Sequence, residues 1–345
     1  MKPLDRVDLD HILLHTKPIW NAVRGKSIFI SGGTGFFGAW LLESLAHCNR
    51  ELDLNLSATV LSRDPAAFLN KMPHLSGELS IRMLQGDVRS FSFPEEDFDY
   101  VIHGAAPTTA VTPGHHFDLL STLLDGTRRM LALAQTRGTK RFLFVSSGAV
   151  YGRQPENLSH IPEDYLGGPD WLNLASTYAE GKRVCEQLCS LTAQESGIEF
   201  GIARCFAFVG PHLPLDQHFA IGNFIRDALA GKNIAIQGDG TPMRSYLYAA
   251  DLVIWLWTML LADCQPKAQP LVLNVGSGEA ISILDLAREV VNALAPTLSI
   301  EIARAVSGGP VLRYVPDVQK AEAILNLRET IGLRDAIRRT AAWHR

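Results

Sequence analysis

The seven residues Gly32-Gly-Thr-Gly-Phe-Phe-Gly38 constrain this chain more than any other stretch. They follow directly on Lys26-Ser-Ile-Phe-Ile-Ser31, a short apolar run that reads as a buried strand, and Phe36 to Ala46 then reads as a helix. Glycine at 32 permits a tight turn, at 35 lets backbone approach a pyrophosphate, and at 38 lets the helix pack on the strand. The positive end of the helix, beginning at Phe36 and Phe37, would face the phosphates. Strand, glycine turn and helix in this order are a far stronger signal for a dinucleotide site than the glycines alone.

The rest of the chain supplies the framework such a turn needs. Strand candidates at 26–31, 57–62, 80–85, 98–103, 141–146 and 198–204 alternate with helix candidates at 36–48, 65–71, 116–137 and 176–196. That order predicts an α/β fold with a doubly wound parallel sheet. After Gly210-Pro211 the rhythm changes to a helix near 219–230, short strands near 233–236 and 271–275, helices near 249–262 and 281–294, and two C-terminal helices. The expected organisation is a helical extension over 1–24, a dinucleotide-binding region over 25–210, and a smaller α/β substrate-binding region over 211–345 interwoven with the first.

Composition narrows the partners. With 345 residues, 47% hydrophobic, the chain can bury a large core. A net charge of −4 offers no general attraction to nucleic acid or to an anionic membrane. The longest apolar run, Leu252 to Ala262, is too short to span a bilayer. Five cysteines, Cys48, Cys185, Cys189, Cys205 and Cys264, are scattered without a zinc-like quartet, which fits reduced thiols in a cytoplasm and no metal. Cys185 and Cys189, helix neighbours, read as core packing.

Chemistry is carried by Tyr178-Ala-Glu-Gly-Lys182. Tyr and Lys at i and i+4 share one helix face, so the ammonium can sit beside the phenol and favour phenolate. A phenol of ordinary pKa about 10 then becomes a usable acid/base near neutrality. Ser147 upstream would donate to, or accept from, the oxygen that gains or loses the proton.

These residues together resemble the extended short-chain dehydrogenase/reductases, specifically the NAD(P)-dependent nucleotide-sugar epimerase/dehydratase group. The resemblance runs from about Gly25 to the C-terminus. Besides the glycine turn and Tyr178–Lys182, it rests on Gly86-Asp87-Val88, His103-Gly-Ala-Ala106, Val145-Ser-Ser-Gly-Ala-Val-Tyr151-Gly152, Arg204 to Gly210-Pro211, Gly238-Asp239-Gly240 with Arg244, Asn274-Val-Gly276, and Arg313 before Pro316-Asp317. The resemblance implies a Rossmann domain, a nucleoside-diphosphate sugar substrate and a homodimer formed through the helices at 116–137 and 176–196. It implies Asp87 as acceptor of the adenine amino group, Val88 as a ring contact, and Ala105 and Ala106 as small residues beside the cofactor. Lys182 would also bond the nicotinamide ribose. Ser147 matches the catalytic Ser/Thr, with Ser146 a strand-end hydroxyl, and Arg244 and Arg313 would hold the substrate diphosphate in planar forks.

Three departures carry information. Dehydratases of this group place Asp then Glu after the catalytic Ser/Thr, and a sugar-acid decarboxylase relative keeps the Glu; here stand Gly148 and Ala149. The family's substrate-binding Asn is Ala207. The second strand ends in Ser62-Arg63 where NAD-specific members carry an Asp for the ribose 2′-hydroxyl, so a donor and a cation suit a 2′-phosphate and tilt the expectation from NAD toward NADP. Arg63 as a solvated loop residue is the plainer alternative. Missing carboxylates point to an epimerase; the Ser62-Arg63 pair points to an NADPH-dependent ketosugar reductase. Dehydratase and decarboxylase activity are disfavoured, and a non-catalytic dinucleotide-binding regulator is the alternative of another class.

Other residues have plainer readings. His115 and His116 read as solvent-facing, His103 as cofactor-pocket packing, and Trp255 and Trp257 as core. Glu163 and Asp164, in the loop before Tyr178, are candidate replacement acid/base groups or simply solvated carboxylates.

Overall fold

A computed structural model describes residues 1–107, 114–217, 219–263, 269–305 and 308–345; Cys264 lies outside the described residues. Six strands form the body of a parallel sheet: β1 (Ser27–Ser31), β2 (Ser57–Ser62), β3 (Ile81–Gln85), β4 (Tyr100–His103), β5 (Arg141–Ser147) and β6 (Glu199–Cys205). Short strands β7 (Phe208–Val209), β8 (Ile234–Ile236), β9 (Met243–Arg244) and β10 (Leu247–Tyr248) follow. Next come β11 (Leu271–Val275), β12 (Ile281–Ser282), β13 (Ile300–Ile302) and β14 (Arg313–Tyr314).

The helices of the first part are α1 (Arg6–Trp20), α2 (Phe36–Leu52), α3 (Pro65–Lys71), α4 (His116–Thr136) and α5 (Thr177–Ser196). Those of the second part are α6 (Ala220–Leu229), α7 (Ala249–Leu261), α8 (Ile283–Leu294), α9 (Gln319–Leu325) and α10 (Leu333–His344).

The main sheet has seven strands in the order β11-β6-β5-β4-β1-β2-β3, all paired in parallel. This is the doubly wound Rossmann-like arrangement that the alternating pattern predicts, with the order reversing beside β1. β1, buried along Ile28, Phe29, Ile30 and Ser31, is covered on both faces, which is why it reads as an unbroken apolar run. The strand at 271–275 comes from the second region of the chain yet pairs with β6 in register Leu271↔Gly201 to Val275↔Cys205. Its apolar residues complete the sheet edge.

Helix α1 is capped by the Asp5 side chain, which accepts from the Val7 N–H at 2.9 Å. Leu9, Ile12, Thr16 and Trp20 lie on one face and are buried, with Trp20 5.1 Å from Trp257 of α7. Trp255 and Trp257 are core residues, as their apolar helix predicts. The buried Asp8 carboxylate accepts from the Tyr248 hydroxyl at 2.6 Å and from Arg339 at 2.6 Å, tying the N-terminal helix to the C-terminal one. Among the described residues, no helix is long and apolar enough to cross a membrane.

Candidate active site

The glycine turn is built around backbone contacts that a side chain would break. Gly32 has φ +79°, and a Cβ there would lie 2.4 Å from the Gly104 carbonyl carbon. A Cβ on Gly38 would lie 2.2 Å from the Gly33 backbone, so α2 meets the end of β1 only with glycine in place. Gly35 is different. Its nearest neighbour would be the Gly32 carbonyl oxygen at 3.6 Å, so one side of the turn is open to an approaching group. Gly35 caps α2 without a side-chain hydrogen bond, and Phe36 and Phe37 begin the helix half-buried. Uncapped N–H groups at an open helix start suit a pyrophosphate, and so these residues fit a dinucleotide.

At the end of β2, Ser62 is buried and its hydroxyl accepts from the Asp64 N–H at 3.2 Å, while Arg63 is exposed. Asp87 accepts a fork from Arg89, with Nε and Nη2 each at 2.9 Å, and Arg89 also reaches Asp118 at 2.7 Å. Arg89 first, with help from Arg63 nearby, holds the Asp87 carboxyl down to about 2. Ser62, Arg63 and Asp87 thus converge at one edge, and Arg89 joins them. An adenine amino group at Asp87 would share a carboxylate that has lone pairs to spare. Val88 is buried against Gly126, and Ala105 and Ala106 are half-buried and pack, as Tyr178 does, against the apolar cluster that contains Val88.

His103, one strand over, is buried with Nδ1 2.7 Å from the Ser31 hydroxyl and Nε2 3.0 Å from that of Thr127. Burial first, then the neighbouring Lys182, pushes its pKa down to about 3, so the ring is neutral. His115 is exposed, whereas His116 is half-buried with Nδ1 3.2 Å from the Thr177 hydroxyl. Its expected solvent-facing position is therefore corrected: α4 packs along α5 and brings the ring against the start of the Tyr178 helix.

Tyr178, Lys182 and Glu186 follow one another at four-residue spacing on α5, with Lys182 and Glu186 buried. Lys182 donates to the Val145 carbonyl at 2.7 Å, and its Nζ lies 4.6 Å from the Phe144 ring centre and 5.9 Å from that of Tyr178. Burial lowers the Lys182 pKa and pushes Tyr178 up to about 12; a Ser147 hydrogen bond pulls the phenol back down. Each charge is costly alone. A phenolate and an ammonium formed together offset one another.

Two adjacent serines end β5 and face different partners. Ser146 donates to the Glu186 carboxylate at 2.6 Å, and Glu186 is also held by Arg204 at 2.7 Å. Ser147 accepts from the Ala149 N–H at 3.2 Å, and its hydroxyl holds the pKa of the Tyr178 and Tyr314 phenols down against burial. So Ser147, Tyr178 and Lys182 come together, while Ser146 belongs to the support beneath them.

On the facing side, β14 pairs with β9 in parallel, with Arg313 opposite Met243 and Tyr314 opposite Arg244. Arg244 and Arg313 are half-buried, and among the described residues neither has a carboxylate partner. In that register Arg244 shares a sheet face with Tyr314 and Arg313 shares the opposite face with Met243, so the two arginines are not brought together as one fork. Arg244 and Tyr178 both act on the Tyr314 phenol, which places that residue between the two halves of the site.

Sequence reasoning passed over Tyr314 and Phe206. A Cβ on Gly148 would lie 2.7 Å from the Phe206 ring and 2.7 Å from the Tyr314 hydroxyl, whose rings pack 4.6 Å apart. The position where dehydratases are expected to carry a carboxylate is thus filled by two aromatic side chains. Glu163 is also engaged. Its carboxylate accepts from the Asn274 N–H at 2.8 Å, and burial raises its pKa. Asn274 accepts from Tyr151 at 2.7 Å and donates to Ile161 and Asp317, pinning the loop, β11 and the segment after β14 together. Its appearance in the Asn274-Val-Gly276 landmark was the available signal. Among the described residues, no group of three His, Cys, Asp or Glu side chains could hold a metal; Cys48, Cys185, Cys189 and Cys205 are buried free thiols.

A parallel sheet with an open glycine turn at its switch point and a Ser–Tyr–Lys set beside it defines a dinucleotide-dependent α/β enzyme class. The chain belongs to the NAD dependent epimerase/dehydratase family, whose profile matches residues 28–276. It is 29% identical over 312 residues to UDP-glucuronic acid decarboxylase 5 of Arabidopsis thaliana, covering 90% of this chain and 86% of that one. Two solved structures share the fold. A UDP-N-acetylglucosamine 4-epimerase of Methanobrevibacter ruminantium, in complex with UDP-N-acetylmuramic acid, matches with TM-score 0.77 at 21% identity over 93% of this chain and 98% of that one. The UDP-glucuronic acid 4-epimerase of Bacillus cereus, in complex with UDP-glucuronic acid and NAD, matches with TM-score 0.76 at 23% identity over 92% and 98%.

Proposed function

We propose that this protein modifies a nucleoside-diphosphate sugar by reversible hydride transfer through a keto-sugar, and that it is an epimerase. The observation that carries this reading is the meeting of Ser147, Tyr178 and Lys182 beside a Gly148 position closed by Phe206 and Tyr314. Tyr178 as phenolate takes the sugar hydroxyl proton, Ser147 holds the oxygen, and Lys182 supplies the compensating charge. Bound NAD(P)⁺ would accept the carbon-bound hydride and return it. Arg244 and Arg313 hold the diphosphate while the sugar turns over. No carboxylate at 148 or 149 is at hand to expel water.

The names of relatives favour a second reading, decarboxylation of a nucleotide uronic acid, in which the new ketone lets the neighbouring carboxylate leave as carbon dioxide. Incubation of candidate UDP-hexoses and UDP-uronic acids with the protein and cofactor, read by mass spectrometry and NMR, separates the outcomes. Inversion at unchanged mass supports epimerisation. Loss of carbon dioxide, loss of water, or net consumption of NADPH each sinks it in favour of decarboxylase, dehydratase or reductase.

For the cofactor, Ser62 and Arg63 support NADP over NAD. Arg63→Ala should then weaken NADP(H) by ~1.5–3 kcal/mol and leave NAD(H) nearly unchanged; equal weakening of both, on titration, removes the preference. A homodimer through α4 and α5 is supported by exposed Phe117, Val184 and Leu191 on those helices. Light scattering on the purified chain checks it.

A further inference from the structure

His103 takes no part in the proposed reaction, yet it stands in the middle of an unbroken row of buried polar groups. The row starts at the backbone N–H of Ala105, just past the end of β4, which reaches the Ser31 hydroxyl at 3.4 Å. The Ser31 hydroxyl lies 2.7 Å from Nδ1 of His103, and Nε2 lies 3.0 Å from the hydroxyl of Thr127 on α4. Thr127 donates to the Cys185 sulfur of α5 at 3.1 Å, and Cys185 donates to the Leu123 carbonyl at 3.3 Å. Ser31, His103, Thr127 and Cys185 are each at most 1% exposed, so bulk water does not compete for these groups.

The two ends of the row have fixed polarity, because a backbone N–H can only donate and a backbone carbonyl can only accept. Cys185 spends its one proton on the Leu123 carbonyl, so its sulfur accepts from Thr127. With the Thr127 proton spent, the Thr127 oxygen must accept from His103, which puts the ring proton on Nε2. Nδ1 is then bare and takes the Ser31 proton, leaving a Ser31 lone pair for the Ala105 N–H. With the proton on Nδ1 instead, Nε2 would face the Thr127 oxygen with no hydrogen between them, and the Ser31 proton would lose its acceptor. The ring is neutral, as this assignment needs: burial and the neighbouring Lys182 ammonium both oppose a second cation. We infer that His103, held as the Nε2–H tautomer, is a positioning residue of the dinucleotide site: it turns the Ser31 hydroxyl so that its oxygen receives the Ala105 N–H and ties the end of β4 to the glycine turn.

That tie lies where the floor of the site is tightest. The Gly104 N–H donates to the Ser31 carbonyl at 3.0 Å, and the next N–H, that of Ala105, goes to the Ser31 hydroxyl. Ser31 directly precedes Gly32, where a Cβ would lie 2.4 Å from the Gly104 carbonyl carbon. Backbone approaches backbone here without side chains to hold it, so the Ser31 hydroxyl is the side-chain link between the two strand ends. At its other end the row reaches α5 at Cys185, three residues beyond Lys182.

The inference rests on the glycine turn holding the dinucleotide, but its test needs no sugar substrate. The full chain is labelled with nitrogen-15 histidine, and long-range nitrogen–proton NMR spectra read the tautomer of each ring, with His103 identified by its loss in His103→Gln. At neutral pH His103 should show a protonated Nε2 and a bare Nδ1. Thr127→Val removes the acceptor of Nε2–H without touching Ser31 or the glycine turn. The ring proton should then shift toward Nδ1, and affinity for whichever of NAD⁺ and NADP⁺ the wild-type chain binds should fall about two- to tenfold, the range of one neutral hydrogen bond. Thr127→Ser keeps the hydroxyl and should restore both the tautomer and the affinity. Ser31→Ala should leave Nε2 protonated and weaken the dinucleotide by a similar factor, and adding Thr127→Val to it should weaken binding no further. A wild-type ring protonated on Nδ1 overturns the inference, as does an affinity that Thr127→Val and Ser31→Ala both leave unchanged, or losses that add in the double variant. A wild-type chain that binds neither dinucleotide overturns instead the cofactor reading on which the role rests, while the tautomer still reports the row.

Discussion

The cofactor side and the substrate side of this site are built by different means. On the cofactor side, one strand, one turn and one helix contiguous in the chain create the opening, and its shape depends on backbone approaching backbone at Gly32 and Gly38. On the substrate side, two-residue strands at 243–244 and 313–314 must find each other across some seventy residues before Tyr314 stands opposite Arg244. The first is a local device that tolerates almost no side chain. The second is a convergence of long side chains, which substitution should weaken by degrees.

That contrast is most exposed at the seam, where Tyr178 serves both halves. Tyr178→Phe removes one oxygen and should cost on the order of 10²–10⁴ in rate, with the fold and cofactor affinity intact. Wild-type turnover by that variant on an identified substrate would end its assignment as the acid/base.

Within the cofactor side, Gly38→Ala and Gly35→Ala separate the two duties of the turn. A methyl at 38 would sit 2.2 Å from the Gly33 backbone and should lower both thermal stability, by about 1–3 kcal/mol, and cofactor affinity. A methyl at 35 meets nothing closer than 3.6 Å, so stability should hold while cofactor binding falls. Equal stability of the two variants in thermal unfolding would contradict the packing role of Gly38.

On the substrate side, Arg244→Ala and Arg313→Ala should each weaken a nucleoside diphosphate by ~1.5–3 kcal/mol, roughly ten- to a hundredfold, without changing cofactor affinity. Calorimetric titration of UDP into each variant checks this. A parallel loss of cofactor binding would mean that the two sides are not separable.

At neutral pH, where both folded and unfolded rings are mostly neutral, the effect at His103 beneath the cofactor side is small, and it grows only in acid. Its folded pKa lies near 3, below the unfolded value near 6.5. The unfolded chain therefore binds a proton that the folded one refuses, and stability present above pH 6.5 is lost as pH falls toward 3. His103→Gln should reduce that slope by about 1.4 kcal/mol per pH unit in denaturant unfolding. An unchanged slope would mean that other groups govern acid stability.

Legibility in the sequence follows the same division. The six strands from 27 to 205 and the helices between them lie where hydrophobic periodicity places them, because each pattern reports which face of one element is buried. The strand at 271–275 was legible as a strand, but not as the sheet edge beside β6, since apolar alternation names no partner. The resemblance assigns Asp87 to an adenine amino group; its fork with Arg89, two residues on, was not legible because it depends on how the turn folds back.

The strand-turn-helix of residues 26–46 and the Tyr178–Lys182 pair were written in the chain, because spacings of a few residues convert directly into geometry through the helix and strand periods. Which partner Ser146 takes, what fills the space above Gly148, and where Glu163 spends its carboxylate were settled only when distant segments packed. Those contacts join residues tens to more than a hundred positions apart, and no period in a sequence reaches so far.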